Sequence, residues 1–282
     1  MSGMVRCNCL PIILSSLLIS ACGGSENSQP LADGSSPTAL AEGGSWSTPL
    51  VDGTNGSSES LASANDGGDT GLRPGIYLTD IASDNGSSDE AITWISSSGR
   101  FATAINGTNS IFGTLEATSD GSQFSGSAAN LFYTNQWNRV DGSLNGIIED
   151  SQSLSYTISG NFNANAVLAR LIDLSNQSIS LSILSGSYLS FDQTTSFTIG
   201  SQGGISGSDA TGCVFDGEIS IRASNINVFD ITFDARNCGA TSTSSPSERN
   251  GRYNGVGSYD SINFVISFMS ANSTVILPFQ GD

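Results

Sequence analysis

"VFDITFDA", residues 228–235, alternates along its whole length: Phe229, Ile231, Phe233 and Ala235 fall on one side of an extended chain, and Asp230, Thr232 and Asp234 on the other. A period of two is the signature of a β-strand with one face in a core and one in water. "SLSYTIS" (153–159) repeats the pattern with Leu154, Tyr156 and Ile158, and "SINFVISF" (261–268) with Ile262, Phe264, Ile266 and Phe268. Clusters of Gly, Asn, Asp and Ser separate such runs, as turns require. No long amphipathic helical period interrupts them, so the chain reads as an antiparallel all-β protein.

The runs also repeat at long range. "GSLNGIIEDSQSLSYTIS" (142–159) aligns with "GRYNGVGSYDSINFVIS" (251–267), and the continuations "NANAVLARL" and "SANSTVILPF" correspond. Upstream, "GIYL" at 75 matches "GSYL" at 186, and "ISSSGRFATAINGTNSIFGTLEA" (95–117) matches "IGSQGGISGSDATGCVFDGEISI" (199–221). Residues 75–172 and 186–282 therefore read as two copies of one unit of about 95 residues, inside a β domain spanning 73–282. Two such units pairing around one core would make a closed barrel or a two-layer sandwich, and closure removes exposed edges. A membrane-spanning barrel fits poorly. Its strands need about nine to eleven residues, most runs here are shorter, aromatic girdles are missing, and the chain ends "VILPFQGD".

Composition narrows the chemistry. Among 282 residues there is no histidine and no lysine, and all nine basic residues are arginine. Charged residues make up 12%, about half the usual globular share. Without imidazole there is no Ser-His-Asp or Cys-His mechanism and no histidine metal ligand. Without lysine there is no Ser-Lys pair. The net charge of −17 repels nucleic acid and anionic lipid headgroups.

The N-terminus carries an address. "MSGMVRCNC" has one positive charge and no acid, and "LPIILSSLLISA" (10–21) is a mostly apolar run. That run is too short for a membrane-spanning helix, but suits the central part of an export signal. Ile19-Ser20-Ala21-Cys22 resembles the lipobox of bacterial lipoproteins. The resemblance implies lipid on the Cys22 thiol, cleavage between Ala21 and Cys22 and removal of residues 1–21. Gly23, where inner-membrane lipoproteins usually carry aspartate, implies the outer membrane of a Gram-negative cell. Two or three acyl chains would hold far better than one. The following Ser/Gly-rich segment, to residue 72, has too little apolar surface to fold and reads as a disordered tether. Of five cysteines, Cys7 and Cys9 would leave with the signal and Cys22 would take lipid. Cys213 and Cys238 remain, a pair suited to an oxidising compartment. A disulfide between them would stabilise by about 3 kcal/mol. Two free thiols or a redox couple is the alternative, although reactive pairs usually sit as C-x-x-C.

A second resemblance centres on "GCVFDGEISIRASNINVFDITFDARNCG" (212–239). Ile205-Ser206-Gly207, Gly212-Cys213, Phe215, Gly217-Glu218-Ile219, Asn227-Val228-Phe229-Asp230 and Cys238 form a pattern similar to one in β-rich proteobacterial lipoproteins. It implies the Cys213–Cys238 disulfide and a single folded unit, with "SILSGSYL" as a short helical turn before a strand. That group brings no activity with it.

Carboxylates are the remaining catalytic candidates, since two acids at suitable spacing can hydrolyse glycosides. Asp89-Glu90, Glu149-Asp150, Asp230 and Asp234 qualify by type, but the last two read as a solvated strand face. "SDNGSSDE" offers Asp84, Asn85, Asp89 and Glu90 as calcium oxygens, yet lacks EF-hand spacing, and Asn-Gly is a hairpin turn. "GVGSYDS" (255–261) lacks the helix of a phosphate cradle. The expectation is a non-catalytic lipoprotein presenting a β-barrel or sandwich surface, with no cofactor or metal. Its expected partners are the membrane, through the anchor, and an envelope protein or a small apolar ligand. A lipocalin-like carrier of an apolar ligand is the alternative, and a carboxylate-only hydrolase a weaker third.

Overall fold

The computed structural model describes residues 71–83 and 88–282. Ala21, Cys22, the expected signal, nearly all of the expected tether, Asp84 and Asn85 lie outside the described residues. The first unit contains β1 (Gly75–Ser83), β2 (Ser88–Ile95), β3 (Arg100–Asn106), β4 (Asn109–Ala117), β5 (Gln123–Tyr133), β6 (Trp137–Ile148), β7 (Ser153–Gly160) and β8 (Ala164–Arg170). Two single helical turns follow, α1 (Ile172–Ser175) and α2 (Leu181–Leu184). The second unit contains β9 (Gly186–Leu189), β10 (Thr195–Ile199), β11 (Gly204–Asp209), β12 (Val214–Ser220), β13 (Phe229–Arg236), the turn α3 (Pro246–Arg249), β14 (Gly251–Asp260), β15 (Val265–Ala271) and β16 (Ile276–Gly281).

Within each unit, each strand pairs antiparallel with the next. In the first unit β1 also pairs with β8, Tyr77 facing Thr93 on one side and Arg170 on the other, so the sheet closes into a barrel. In the second, β9 and β16 meet at the Ser190–Gly281 bridge, and Leu189 N donates to Asp282 O at 2.9 Å. The two sheets are copies in detail. Gly99 N donates to Ser96 O (3.0 Å) in the β2–β3 turn, and Gly203 N to Gly200 O (2.9 Å) in the β10–β11 turn. Both glycines have left-handed φ, +79° and +87°, and an added Cβ would lie 2.3 Å from Leu115 O or 2.6 Å from Ile219 O. Only glycine fits either position. Tyr77 OH donates to Arg73 O (2.5 Å) and Tyr188 OH to Leu184 O (2.9 Å), so the first strand of each unit is pinned by the same device.

The expectation of one shared core is corrected: each unit builds its own. Tyr77, Phe101, Phe124, Leu144, Tyr156 and Leu168 fill the first. The second is a phenylalanine stack, in which Phe197 meets Phe215 at 4.9 Å and Phe279 at 5.0 Å, and Phe233 stacks on Tyr253 at 5.0 Å. Each half has eight strands, the number at which a closed sheet is just filled by its own side chains. A second sheet is not needed to cover either interior. The first interior also holds a fully buried threonine ladder, Thr79–Thr93 at 2.7 Å and Thr93–Thr103 at 2.8 Å.

Two local readings change. Ile262 and Phe264 do not continue a strand: residues 261–264 form the β14–β15 turn, leaving these side chains 78% and 67% exposed, with Phe264 at φ +59°. Asp260 nucleates the turn, its carboxylate accepting from Ile262 N (2.9 Å) and Asn263 N (3.1 Å), and this outweighs the alternation. Strands are also longer than the apolar runs, reaching 11 residues in β5 and 12 in β6. Their outward faces of Ser, Gly and Asn hide the continuation, so strand length does not argue against a membrane barrel. Orientation does. On β7 the apolar Leu154, Tyr156 and Ile158 point inward while Thr157 is exposed, the reverse of a lipid-facing band.

Candidate functional site

The site grows from the seam between the two barrels. The outer faces of β2 and β3 are apolar as well as the inner ones: Ile92, Trp94, Ala102 and Ala104 are buried. They pack where β14 and β15 bring Val256, Met269 and Ala271, all buried. Trp94 Nε1 crosses the seam to Ser258 Oγ (2.9 Å), and Trp137 Nε1 to Ser244 Oγ (2.8 Å). Arg100 Nη1 donates to Gly255 O (3.4 Å) and Ile231 O (3.5 Å).

The Asn227-Val228-Phe229-Asp230 segment serves this joint. Asn227, 2% exposed, donates through Nδ2 to Leu174 O (3.1 Å) and Tyr259 O (2.8 Å), and its Oδ1 accepts from Tyr259 N (3.0 Å). Its own N–H donates to Ser175 O at 2.9 Å, and Ser175 Oγ in turn accepts from Ile76 N at 2.9 Å. One asparagine thus fastens the inter-unit linker to both barrels. Phe229 enters the second core, while Asp230 turns outward into the seam. The solvated reading of Asp230 is therefore corrected. The residue is 7% exposed, accepts from Ser98 Oγ (3.1 Å) and lies 3.6 Å from Arg222 Nε, because the first barrel covers that end of β13. Asp234, farther along the strand, is half-exposed and pairs with Arg236 at 3.7 Å.

Two grooves flank the seam. One, of about 610 Å³, is lined by Arg100, Phe112, Thr114, Leu131, Arg139 and Asp141 from the first barrel and Arg252, Asn254, Asn272 and Ser273 from the second. The other, of about 500 Å³, is more apolar: Trp94, Phe191, Met269, Pro278 and Phe279 line it with Thr108, Asp192 and Gln280. Gln280 Oε1 there is buried without a hydrogen-bond partner. A smaller recess of about 270 Å³ lies by Arg73, Arg170, Asn176 and Asn225.

Cys213 and Cys238 form a disulfide. Beside it stands an ion pair that the sequence did not announce, Asp209 with Arg249, their side chains 6% and 12% exposed. Asp209 also accepts from Thr211 Oγ1 (2.7 Å), Thr211 N (2.8 Å) and Cys213 N (3.0 Å). Burial acts to raise its pKa, but the hydrogen bonds from Thr211 and Arg249 prevail and hold the carboxyl below its ordinary value. Burial pushes the Tyr156 hydroxyl, inside the first barrel, up to about 12.

The other candidate acids are dispersed. Asp89 and Glu90 are exposed on β2, Glu90 opposite Asp80. Asp150 forms a turn, accepting from Gln152 N (2.6 Å) and Ser153 N (2.8 Å). Among the described residues no three Asp, Glu, Cys or His side chains group as a metal site would require, and no helix is long and apolar enough to cross a membrane. No protein-family model, no curated protein and no solved structure matches the chain.

Proposed function

We propose that the chain is a lipid-anchored protein of a Gram-negative outer membrane, whose twin barrels present a non-catalytic binding surface along their seam. The observation that carries the binding role is where the fold leaves room: both interiors are filled by their own side chains, while open grooves of about 610 and 500 Å³ border the joint. Such volumes lie in the usual range of ligand clefts. Each groove holds a single carboxylate, Asp141 or Asp192. Histidine and lysine are missing altogether, which favours binding over hydrolysis. Anchoring rests on Ile19-Ser20-Ala21-Cys22 and Gly23.

The test is Cys22→Ser. The wild-type chain should partition with membranes and carry an acylated N-terminal cysteine by mass spectrometry, and the variant should keep residues 1–21. Unchanged processing and partitioning in the variant would refute the anchor. Protease added to intact cells then decides which side of the membrane the barrels face. A second reading, a carrier of a small apolar ligand, is favoured by the apolar lining of the groove beside Trp94, Phe191 and Phe279. A stoichiometric apolar molecule co-purifying with delipidated protein would raise it above the first.

A further inference from the structure

We infer that the larger seam groove binds an anionic oligosaccharide, its carboxylate or sulfate groups held by Arg252, Arg139 and Arg100. The inference rests on the binding role proposed above and names the ligand class for one of its two grooves. The chain carries 26 acidic residues against nine arginines, yet this groove collects three arginines and one acid. The local sign is therefore opposite to that of the protein as a whole, and a cleft with low-dielectric walls concentrates such a field.

Pairing sharpens the point. Arg139 is matched by Asp141, Nη2 to Oδ1 at 2.8 Å. Among the described residues neither Arg100 nor Arg252 has a carboxylate partner, whereas Arg222, Arg236 and Arg249 each have one. Asp234 lies across the sheet from Arg252 in register, but its ion pair is with Arg236. Arg100 spends one nitrogen on two long bonds to backbone carbonyls, leaving the rest of its fork uncommitted. Guanidinium forks suit planar carboxylates and sulfates. Around them Thr114, Asn254, Asn272 and Ser273 supply hydroxyl and amide partners for sugar hydroxyls, and Phe112 supplies an apolar face for a ring.

The experiment is isothermal titration of the full chain with three probes: a galacturonate hexasaccharide, a heparin-derived hexasaccharide and neutral maltohexaose. At least one anionic probe should bind, more weakly as ionic strength rises, with maltohexaose at least tenfold weaker. Arg252→Gln should lose about tenfold in affinity, the worth of one charged hydrogen bond, with an unchanged unfolding midpoint. Arg73→Gln, an exposed arginine by the separate smaller recess, should bind as wild type. The inference is overturned if no anionic probe binds at about 1 mM, if maltohexaose binds equally, or if the two variants behave alike. Membrane partitioning through Cys22 is measured separately, so the anchor can stand while this fails.

Discussion

Removing the Asp209 carboxylate tests the most heavily used polar contact in the second barrel. In Asp209→Ala, Thr211 N and Cys213 N lose their acceptor, and Arg249 keeps only Thr211 Oγ1 (2.6 Å) and Gly239 O (2.7 Å). Both side chains of the ion pair are nearly buried, at 6% and 12% exposure, so solvent repays little. Breaking a buried pair from one side costs about 3–5 kcal/mol, because the partner charge is left uncompensated. Asp209→Ala/Arg249→Ala should cost less than the sum of the single variants, with a coupling of about 1–3 kcal/mol. Urea unfolding at pH 7 is the assay. Trp137 fluorescence reports it, since its Nε1 bonds to Ser244 in the loop that carries α3. The sign of the pH dependence follows from the lowered pKa of Asp209. A group whose folded pKa is depressed contributes stability that is complete above about pH 4 and is lost as pH falls through the folded value. The gap between wild type and Asp209→Ala should therefore shrink in acid. A loss below about 1 kcal/mol at pH 7, additive single variants, or a gap that persists in acid would refute the reasoning.

Phe264→Gly should change stability by less than about 1 kcal/mol, since the side chain is 67% exposed and glycine accepts φ +59° freely. A thermal melt showing the roughly 3–5 kcal/mol loss of a core phenylalanine would instead restore the strand reading. Asn227→Ala should destabilise by about 2–3 kcal/mol, because Tyr259 N, Tyr259 O and Leu174 O lose their partner in a buried joint. A urea midpoint within error of wild type would remove Asn227 from the joint.

How much was legible can be traced through single strands. On β7 the alternation of Leu154, Tyr156 and Ile158 is the burial pattern of the folded barrel, since a strand over one core has only two faces to divide. On β13 the same logic holds for Phe229, Ile231, Phe233 and Ala235 but fails for Asp230. The first barrel covers the other face there, and nothing in residues 228–235 reports it. At Ile262 and Phe264 the apolar period itself misled, because a short-range Asp260 turn decided the backbone.

By itself the sequence determined the strand class, the duplication and the absence of imidazole and amine chemistry, all of which follow from residue type and local spacing. It also carried Cys213 and Cys238 as a candidate pair, which the fold joins in a disulfide. Only the tertiary structure decided that the two copies close separately and then pack side by side. Only it gathered Arg100, Arg139 and Arg252 around one groove. Those three come from β3, β6 and β14, two of them in one barrel and one in the other. A groove between separately closed sheets is assembled by packing between residues far apart in the chain, and no periodicity along the chain encodes that.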